Sequence, residues 1–261
     1  MFLNILYGII VLYGAIYAYK HQYLTKNGGF AAFFVGIGIA IGFGYKGLII
    51  LALFFITSSM LSKYKKQQKN SMEERTEKGS TRDFAQVFAN GGLAAICGIA
   101  FWVTKNSIWI TIFTISLASA NSDTWASEIG SLSKSKPYSI KTFKKISTGT
   151  SGAISLLGTL ASIIGAFVIA IASYVIFPIS SNEFIIIFIF GFVGSCIDTL
   201  LGAFVQAEYK CKECQKIYEV SKNCHDNTVL VKGFSFFQND TVNFLSGLLA
   251  ALIAYILIKF I

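Results

Sequence analysis

Long apolar stretches separated by short polar segments dominate this chain. Several of them approach the roughly 20 residues that an α-helix needs to cross a bilayer. Two are short and separated only by Tyr45-Lys46-Gly47, which is compatible with two tilted spans or a re-entrant pair. The pattern predicts an all-α polytopic integral membrane protein with about eight transmembrane helices. The candidate spans are residues 2–19, 29–45, 47–61, 84–103, 107–122, 152–177, 184–207 and 241–261.

The composition agrees with this pattern. Of the 261 residues, 54% are hydrophobic and 13% are charged, whereas soluble domains carry about 25% charged residues. The longest polar segments, near 62–83, 131–151 and 208–240, are predicted to be loops of a single membrane domain over residues 1–261. The N-terminus has no basic region and no small-residue cleavage site, so we expect the first stretch to be a retained helix.

The basic residues predict the orientation. If all eight stretches cross, 19 of the 22 Lys and Arg residues lie on one side, and only Lys46, Lys105 and Lys259 lie on the other. Cytoplasmic loops are enriched in Lys and Arg, so the first side is predicted to be cytoplasmic, with both termini outside a plasma membrane. The net charge of +9 favours contact with anionic lipid. No separate basic domain is present to bind nucleic acid.

Three aspartates, each followed by threonine, fall at or within spans on the predicted cytoplasmic side: Asp123, Asp198 and Asp240. A carboxylate inside a span costs roughly 2.5–3.5 kcal/mol and usually marks function. Alternatives remain: Asp240 as a helix N-cap, Asp123 in interfacial water, and Asp198 in a structural hydrogen bond. The segments Ala120-Asn-Ser-Asp-Thr and Ser195-Cys-Ile-Asp-Thr also suggest a weak parallel internal repeat.

A basic loop with a glycine-rich turn follows the first of these aspartates. We expect the turn to lead directly into a helix N-terminus, where free backbone N–H groups and the helix dipole favour phosphate. The alternative is a positive-inside loop that ends in ordinary capping residues. The turn does not match the Walker A sequence. The candidate phosphate-binding residues are Lys136, Lys141, Lys144, Lys145, Gly149, Thr150, Ser151 and Gly152.

Carboxylates that hold Mg²⁺ and cationic groups that hold phosphates together favour phosphoryl transfer, which depends on positioning and charge neutralisation. A cation transporter would use the aspartates without needing the basic loop. Separately, Cys211, Cys214, Cys224 and His225 form an imperfect ligand pattern for structural Zn²⁺. Reduced, unliganded thiols are the alternative.

Four motifs, in order, resemble those of the transmembrane-protein-nineteen family, also called unknown-function domain ninety-two, which includes plant phytyl-phosphate kinases. They are NSDTWASEIG, KPYSIKTFKKISTGTSGAISLLGT, GSCIDTLLGAFVQAEYKCKEC and NDTVNFLS. The chain differs from the family pattern at Ser151, where Asp is usual, and in the order of Cys224 and His225.

The resemblance implies a membrane kinase that converts an isoprenyl (phytyl-like) monophosphate to the diphosphate with ATP or CTP. Asp123, Asp198 and Asp240, together with Asn121, Asn239 and Asn243, are expected to hold Mg²⁺ and the nucleotide phosphates. The lysines and the glycine turn are expected to bind the transferred and acceptor phosphates. The alternatives are a CTP-dependent cytidylyltransferase acting on a lipid phosphate and a non-enzymatic transporter or flippase of such a lipid. Oligomeric state is not predicted.

Overall fold

The computed structural model describes residues 2–65, 81–215, 217–220 and 228–260. These residues form seven α-helices and five short strands. The helices are α1 (Phe2–Lys20), α2 (Lys26–Lys63), α3 (Phe84–Thr104), α4 (Ile108–Gly130), α5 (Leu156–Ile176), α6 (Ser181–Phe204) and α7 (Asn239–Phe260). The strands are β1 (Tyr138–Ser139), β2 (Ala153–Ile154), β3 (Glu208–Cys211), β4 (Ile217–Tyr218) and β5 (Thr228–Lys232).

Helix α2 contains both of the short predicted spans and doubles back on itself. Gly44 interrupts it with φ +58° and ψ −145°, a conformation essentially restricted to glycine. Both ends of α2 then meet Arg82: the Thr25 amide donates to its carbonyl at 2.9 Å, and its guanidinium lies over the rings of Phe54 and Phe55. Each limb, 26–43 or 45–63, is about 27 Å long, close to the thickness of a bilayer core.

Within the described part of the chain, five helices are long and apolar enough to cross a membrane: α2, α3, α5, α6 and α7. Helix α4 is not one of them, yet it lies at the centre of the bundle and packs against α2, α3, α5, α6 and α7. Every residue from Ile110 to Ser119 is buried. The polar side chains of this stretch therefore face protein, so α4 needs less apolar surface than a span that faces lipid.

Small residues and one aromatic cluster hold the bundle together. A Cβ built on Gly98 would lie 2.2 Å from the carbonyl oxygen of Gly38, so the backbones of α2 and α3 touch. Small residues at such crossings allow the close packing that drives helix association in lipid. At the Gly44 end of the bundle, Phe43 stacks against Phe101 and Phe113, with ring centroids 5.2 and 4.5 Å apart.

The opposite end of the bundle carries the longer connections and is called the loop face below. There Lys63 donates to the carbonyl of His21 at 2.9 Å, and the Ala207 amide donates to the carbonyl of Phe237 at 2.9 Å. Strands β1 and β2 pair antiparallel, and a second sheet has the order β4-β3-β5. The expectation that 131–151 and 208–240 are loops of an all-α protein was therefore wrong in detail: the fold is mostly helical, with two small sheets.

The ends of the two helices that carry Asp123 and Asp198 differ from the predicted spans. Helix α4 continues to Gly130 and not to residue 122, so Asp123 lies within the helix. Helix α6 ends at Phe204 and not near Ala207, which leaves Asp198 six residues, or about 9 Å, before its end.

Candidate functional site

Helices α4 and α6 bring Asp123 and Asp198 side by side. The two helices run parallel and touch through small residues: a Cβ on Gly191 would lie 2.6 Å from the Cβ of Ala118. A Cβ built on Gly194 would overlap Ser119. One helical turn beyond Ser119 and Gly194 come Asp123 and Asp198, which are close enough to repel each other.

Helix α7 orients the second of these aspartates. The Ser246 hydroxyl donates to Asp198 Oδ2 at 3.1 Å. In the amide orientation that satisfies its neighbours, Asn243 donates to the same oxygen at 3.0 Å and to the Asn239 carbonyl at 3.2 Å. By contrast, Asp123 is partly exposed, and among the described residues no side chain or amide donates a hydrogen bond to its carboxylate. One carboxylate is thus fixed, and the other is available to a ligand.

The aspartate pair fits a divalent cation bound jointly with phosphates. Mg²⁺ in proteins is usually held by one or two carboxylates, substrate phosphates and water, and two adjacent carboxylates in a bundle need a cation or a proton. Within the described residues, no three His, Cys, Asp or Glu side chains form a group that could hold a metal. The expectation that Asp123, Asp198 and Asp240 form one metal-binding set is corrected to a pair plus a separate Asp240.

Asp240 lies at a lateral groove instead. The groove has a volume of about 720 Å³ and lies between the first limb of α2, α3 and the start of α7. Its lining is almost entirely apolar, with Asp240 and Thr241 on the α7 side. Asp240 precedes Asn243 by three residues, or about 4.5 Å along the helix axis, so the polar part of the groove is one turn away from the contacts to Asp198.

Asn121 serves the fold. Its carbonyl oxygen accepts from the hydroxyls of Thr57 and Ser58 at 3.2 and 3.3 Å, and its amide donates to the Gly165 carbonyl at 2.8 Å. The side chain is fully buried and ties α4 to α2 and α5. These contacts correct its predicted role in binding nucleotide phosphates.

The glycine turn docks against the end of α6. Gly152, at φ +78°, leaves no room for a Cβ, which would lie 2.5 Å from the Cβ of Ala203. The Ser151 hydroxyl donates to Glu219 Oε1 at 2.6 Å. Strand β2 separates the turn from α5, and the first turn of α5 is capped by Ser155, whose Oγ accepts from the Gly158 amide at 3.0 Å. The expectation that the turn leads directly into a helix N-terminus was therefore wrong.

The rest of the predicted phosphate-binding set lies on the surface of the loop face. All four lysines are exposed, and Asn239 begins α7 with an exposed side chain. Gly149 adopts φ +80°. The Thr150 hydroxyl donates to the Ser147 carbonyl at 2.9 Å. The lysines are Lys136, Lys141, Lys144 and Lys145.

A polar cluster that the sequence did not predict lies under the end of α6. Lys232 on β5 pairs with Glu208 on β3 at 2.5 Å and donates to the Gly202 carbonyl at 3.0 Å. Glu219 is close enough to Asp198 to repel it. The alternation of polar and apolar residues in Glu208-Tyr-Lys-Cys and the short apolar run in Thr228-Val-Leu-Val-Lys were the available signals for this sheet.

Glu219 makes the stability of the loop face pH-dependent. Burial raises the pKa of Glu219, with the Ser151 hydrogen bond acting in the opposite direction. A raised folded-state pKa means that the folded protein binds more protons than the unfolded chain, so stability falls as the pH rises from the unfolded pKa through the folded one. We expect Glu219→Gln to remove this fall and to raise the unfolding temperature at neutral pH. Thermal unfolding in detergent from pH 4 to pH 8 (roughly the window in which glutamates titrate) measures it, and identical pH profiles for the two proteins would contradict it.

The cysteine pattern is described only in part. Cys211 is buried and Cys214 is half-buried, and the sulfur of Cys214 lies 3.6 Å from the Tyr218 hydroxyl. Cys224 and His225 lie outside the described residues, so the zinc set stays a prediction from the sequence.

Comparison with known proteins agrees with this helical, lipid-compatible bundle. Residues 9–251 match the family profile described as integral membrane protein DUF92. The chain belongs to this family. The DUF92 match includes the positions of Asp123, Asp198 and Asp240 and ends within α7.

Curated relatives of this DUF92 member come from plants and prokaryotes. Protein PGR of Arabidopsis thaliana is 31% identical over 93% of this chain and 91% of its own length. An uncharacterised membrane protein of Methanocaldococcus jannaschii is 32% identical over 75% of this chain and 80% of its own. Protein VTE6, chloroplastic, of A. thaliana is 24% identical over 91% of this chain and 66% of its own. No solved structure matches the chain.

Proposed function

We propose that this DUF92 protein is a membrane phosphotransferase that converts an isoprenyl, phytyl-like monophosphate to the diphosphate with ATP or CTP. The observation that carries this proposal is the pair of neighbouring carboxylates, Asp123 and Asp198, inside a membrane bundle. One of them is held in place and the other is available to a ligand. The reaction would take place at the loop face, and the lysine distribution supports a cytoplasmic position for this face in a plasma membrane.

The residues of the site divide into binding and positioning roles. Asp123 and Asp198 would hold Mg²⁺, which supplies charge neutralisation for phosphate oxygens when it is bound. Ser246 and Asn243 fix the direction of the Asp198 carboxylate. Since the acceptor is itself an anionic phosphate, the site needs no strong general base.

The lateral groove suits the lipid. An isoprenyl tail is a single apolar chain, and the groove is an apolar cleft of about 720 Å³ with Asp240 and Thr241 among its lining residues. A tail placed there would keep its phosphate near the first turn of α7, one turn from Asn243. The resemblance of the sequence motifs to a family that includes plant phytyl-phosphate kinases supports this lipid class.

A product assay tests the proposal. Purified protein in detergent receives Mg²⁺ with ATP or CTP, and phytyl, geranylgeranyl or farnesyl monophosphate. We expect the isoprenyl diphosphate together with a nucleoside diphosphate. Release of pyrophosphate would indicate cytidylyl transfer instead. Movement of the lipid across liposomes without nucleotide turnover would indicate a flippase. Absence of diphosphate from all three lipids would overturn the kinase proposal for this substrate class.

A further inference from the structure

A compact turn that begins with β1 and precedes the glycine turn presents two exposed aromatic side chains, Tyr138 and Phe143, and three lysines. Residues 138–145, called the basic turn below, are closed by a bridge between Tyr138 and Lys145. The Ser139 amide donates to the Lys144 carbonyl at 2.9 Å, and the Phe143 amide donates to the Ser139 carbonyl at 2.8 Å. This small stretch of backbone is therefore held in one shape.

Phe143, near the tip of the basic turn, combines a strained backbone with an exposed aromatic ring, and both are unfavourable in water. Its φ is +53°, in the left-handed region that bulky residues rarely adopt. Its side chain is 79% exposed. Folding thus holds the backbone in a strained conformation and leaves an aromatic ring outside the protein, which indicates that the ring has a partner beyond the chain.

The basic turn lies at the bilayer boundary. The Lys141 ammonium is 5.9 Å from the ring centroid of Phe204, which is the last residue of α6, a helix able to span the membrane. The end of such a helix is at the level of the lipid headgroups. Phe234 and Phe236, which are 63% and 74% exposed, lie on the segment whose Phe234 amide donates to the Val205 carbonyl. Exposed phenylalanines thus recur around this helix end, where aromatic side chains can enter the headgroup region.

The charge of the basic turn selects the lipid. Lys141, Lys144 and Lys145 are all exposed, and residues 131–151 contain no Asp or Glu. Basic segments next to a membrane are attracted to anionic headgroups. A soluble phosphate would satisfy the lysines but would leave the exposure of Phe143 unexplained.

We propose that the basic turn is an interfacial anchor: Phe143 inserts into the headgroup layer of an anionic leaflet, and the three lysines contact lipid phosphates. The basic turn thereby holds the loop face against the membrane and concentrates anionic lipids beside the end of α6. This inference does not depend on the proposed phosphotransferase activity, and its test does not measure turnover.

Tryptophan quenching tests the anchor in the full-length protein. Phe143→Trp is reconstituted into nanodiscs of phosphatidylcholine with or without phosphatidylglycerol, with bromine placed on the acyl chains near the headgroup. The parent protein, which has three native tryptophans, supplies the background. We expect an added, blue-shifted emission that the brominated lipids quench, with stronger quenching when phosphatidylglycerol is present. An added emission typical of indole in water and unaffected by bromine would overturn the proposal.

A second variant separates the two parts of the anchor. Phe143→Trp combined with Lys144→Gln and Lys145→Gln should lose most of the increase caused by phosphatidylglycerol, because the attraction to anionic headgroups is removed. If the increase persists unchanged, the lysines do not contact the lipid and the anionic-leaflet proposal fails. Since all three positions are exposed, the variants should fold, and unfolding temperatures close to that of the parent would confirm it.

Discussion

Asp198→Asn should abolish diphosphate formation without unfolding the protein. Asparagine has nearly the same shape, and Ser246 can still donate to its carbonyl oxygen. The change removes one of the two charges that would hold Mg²⁺ and nucleotide phosphates. Loss of one preorganised electrostatic contact typically lowers turnover by about 10²–10³-fold, so we expect a loss of at least this size, measured as transfer of labelled phosphate to the lipid.

The matched control is Asp83→Asn. Asp83 is also an aspartate of the loop face, but its side chain caps α3 by accepting from the Gln86 amide at 2.9 Å. Asparagine caps helices about as well as aspartate, so this variant removes a charge and should keep both fold and turnover. Equal losses of turnover in Asp83→Asn and Asp198→Asn would show that removal of any negative charge from the loop face lowers turnover. Full turnover in Asp198→Asn would remove Asp198 from the site.

Gly98→Ala should destabilise the bundle. The new Cβ would lie 2.2 Å from the Gly38 carbonyl oxygen and 2.9 Å from the Ile39 Cα. Both are backbone atoms, so no side-chain rotation relieves the overlap, and α2 and α3 must move apart. Overpacking of this kind costs typically about 1–3 kcal/mol, which should appear as a lower unfolding temperature in detergent.

Gly14→Ala is the control for this change. A Cβ on Gly14 in α1 meets nothing within 4 Å, so only the backbone preference changes. Alanine is favoured over glycine inside a helix by up to about 1 kcal/mol, and we expect the unfolding temperature to stay the same or to rise. If both substitutions lowered the unfolding temperature equally, the effect of Gly98→Ala would not come from the close contact between α2 and α3.

Much of the helical layout could be predicted because membrane spans are encoded locally. The ends of α1, α3 and α7 were predicted to within about two residues, in the range where helix assignments differ anyway. The end of α4 was missed because polar residues such as Asn121, Ser122 and Asp123 look like the end of a span. Asn121 and Ser122 are tolerated inside α4 because neighbouring helices satisfy their hydrogen bonds. Strands β1, β2 and β4 could not be predicted, since each is two residues long.

The candidate site could be predicted only in part. The repeated Asp-Thr pairs and parallel helix directions pointed to Asp123 and Asp198, and the structure brings these two together. No local pattern could show that Asn121 faces α2 and α5, or that Asp240 faces a groove formed by three helices. Those facts depend on rotation of helices about their axes and on packing between segments far apart in sequence.

The enclosure of α4 bears on how the protein is made. A segment whose polar groups are paired with other helices in the folded protein would expose those groups to lipid if it left the translocation channel alone, which is unfavourable. Asn121 and Ser122 donate to the carbonyls of Gly165 and Ser162 on α5, which is synthesised later. We therefore expect α4 to remain beside the channel until α5 emerges, so that the two enter the bilayer together and the aspartates are not exposed to lipid during biogenesis.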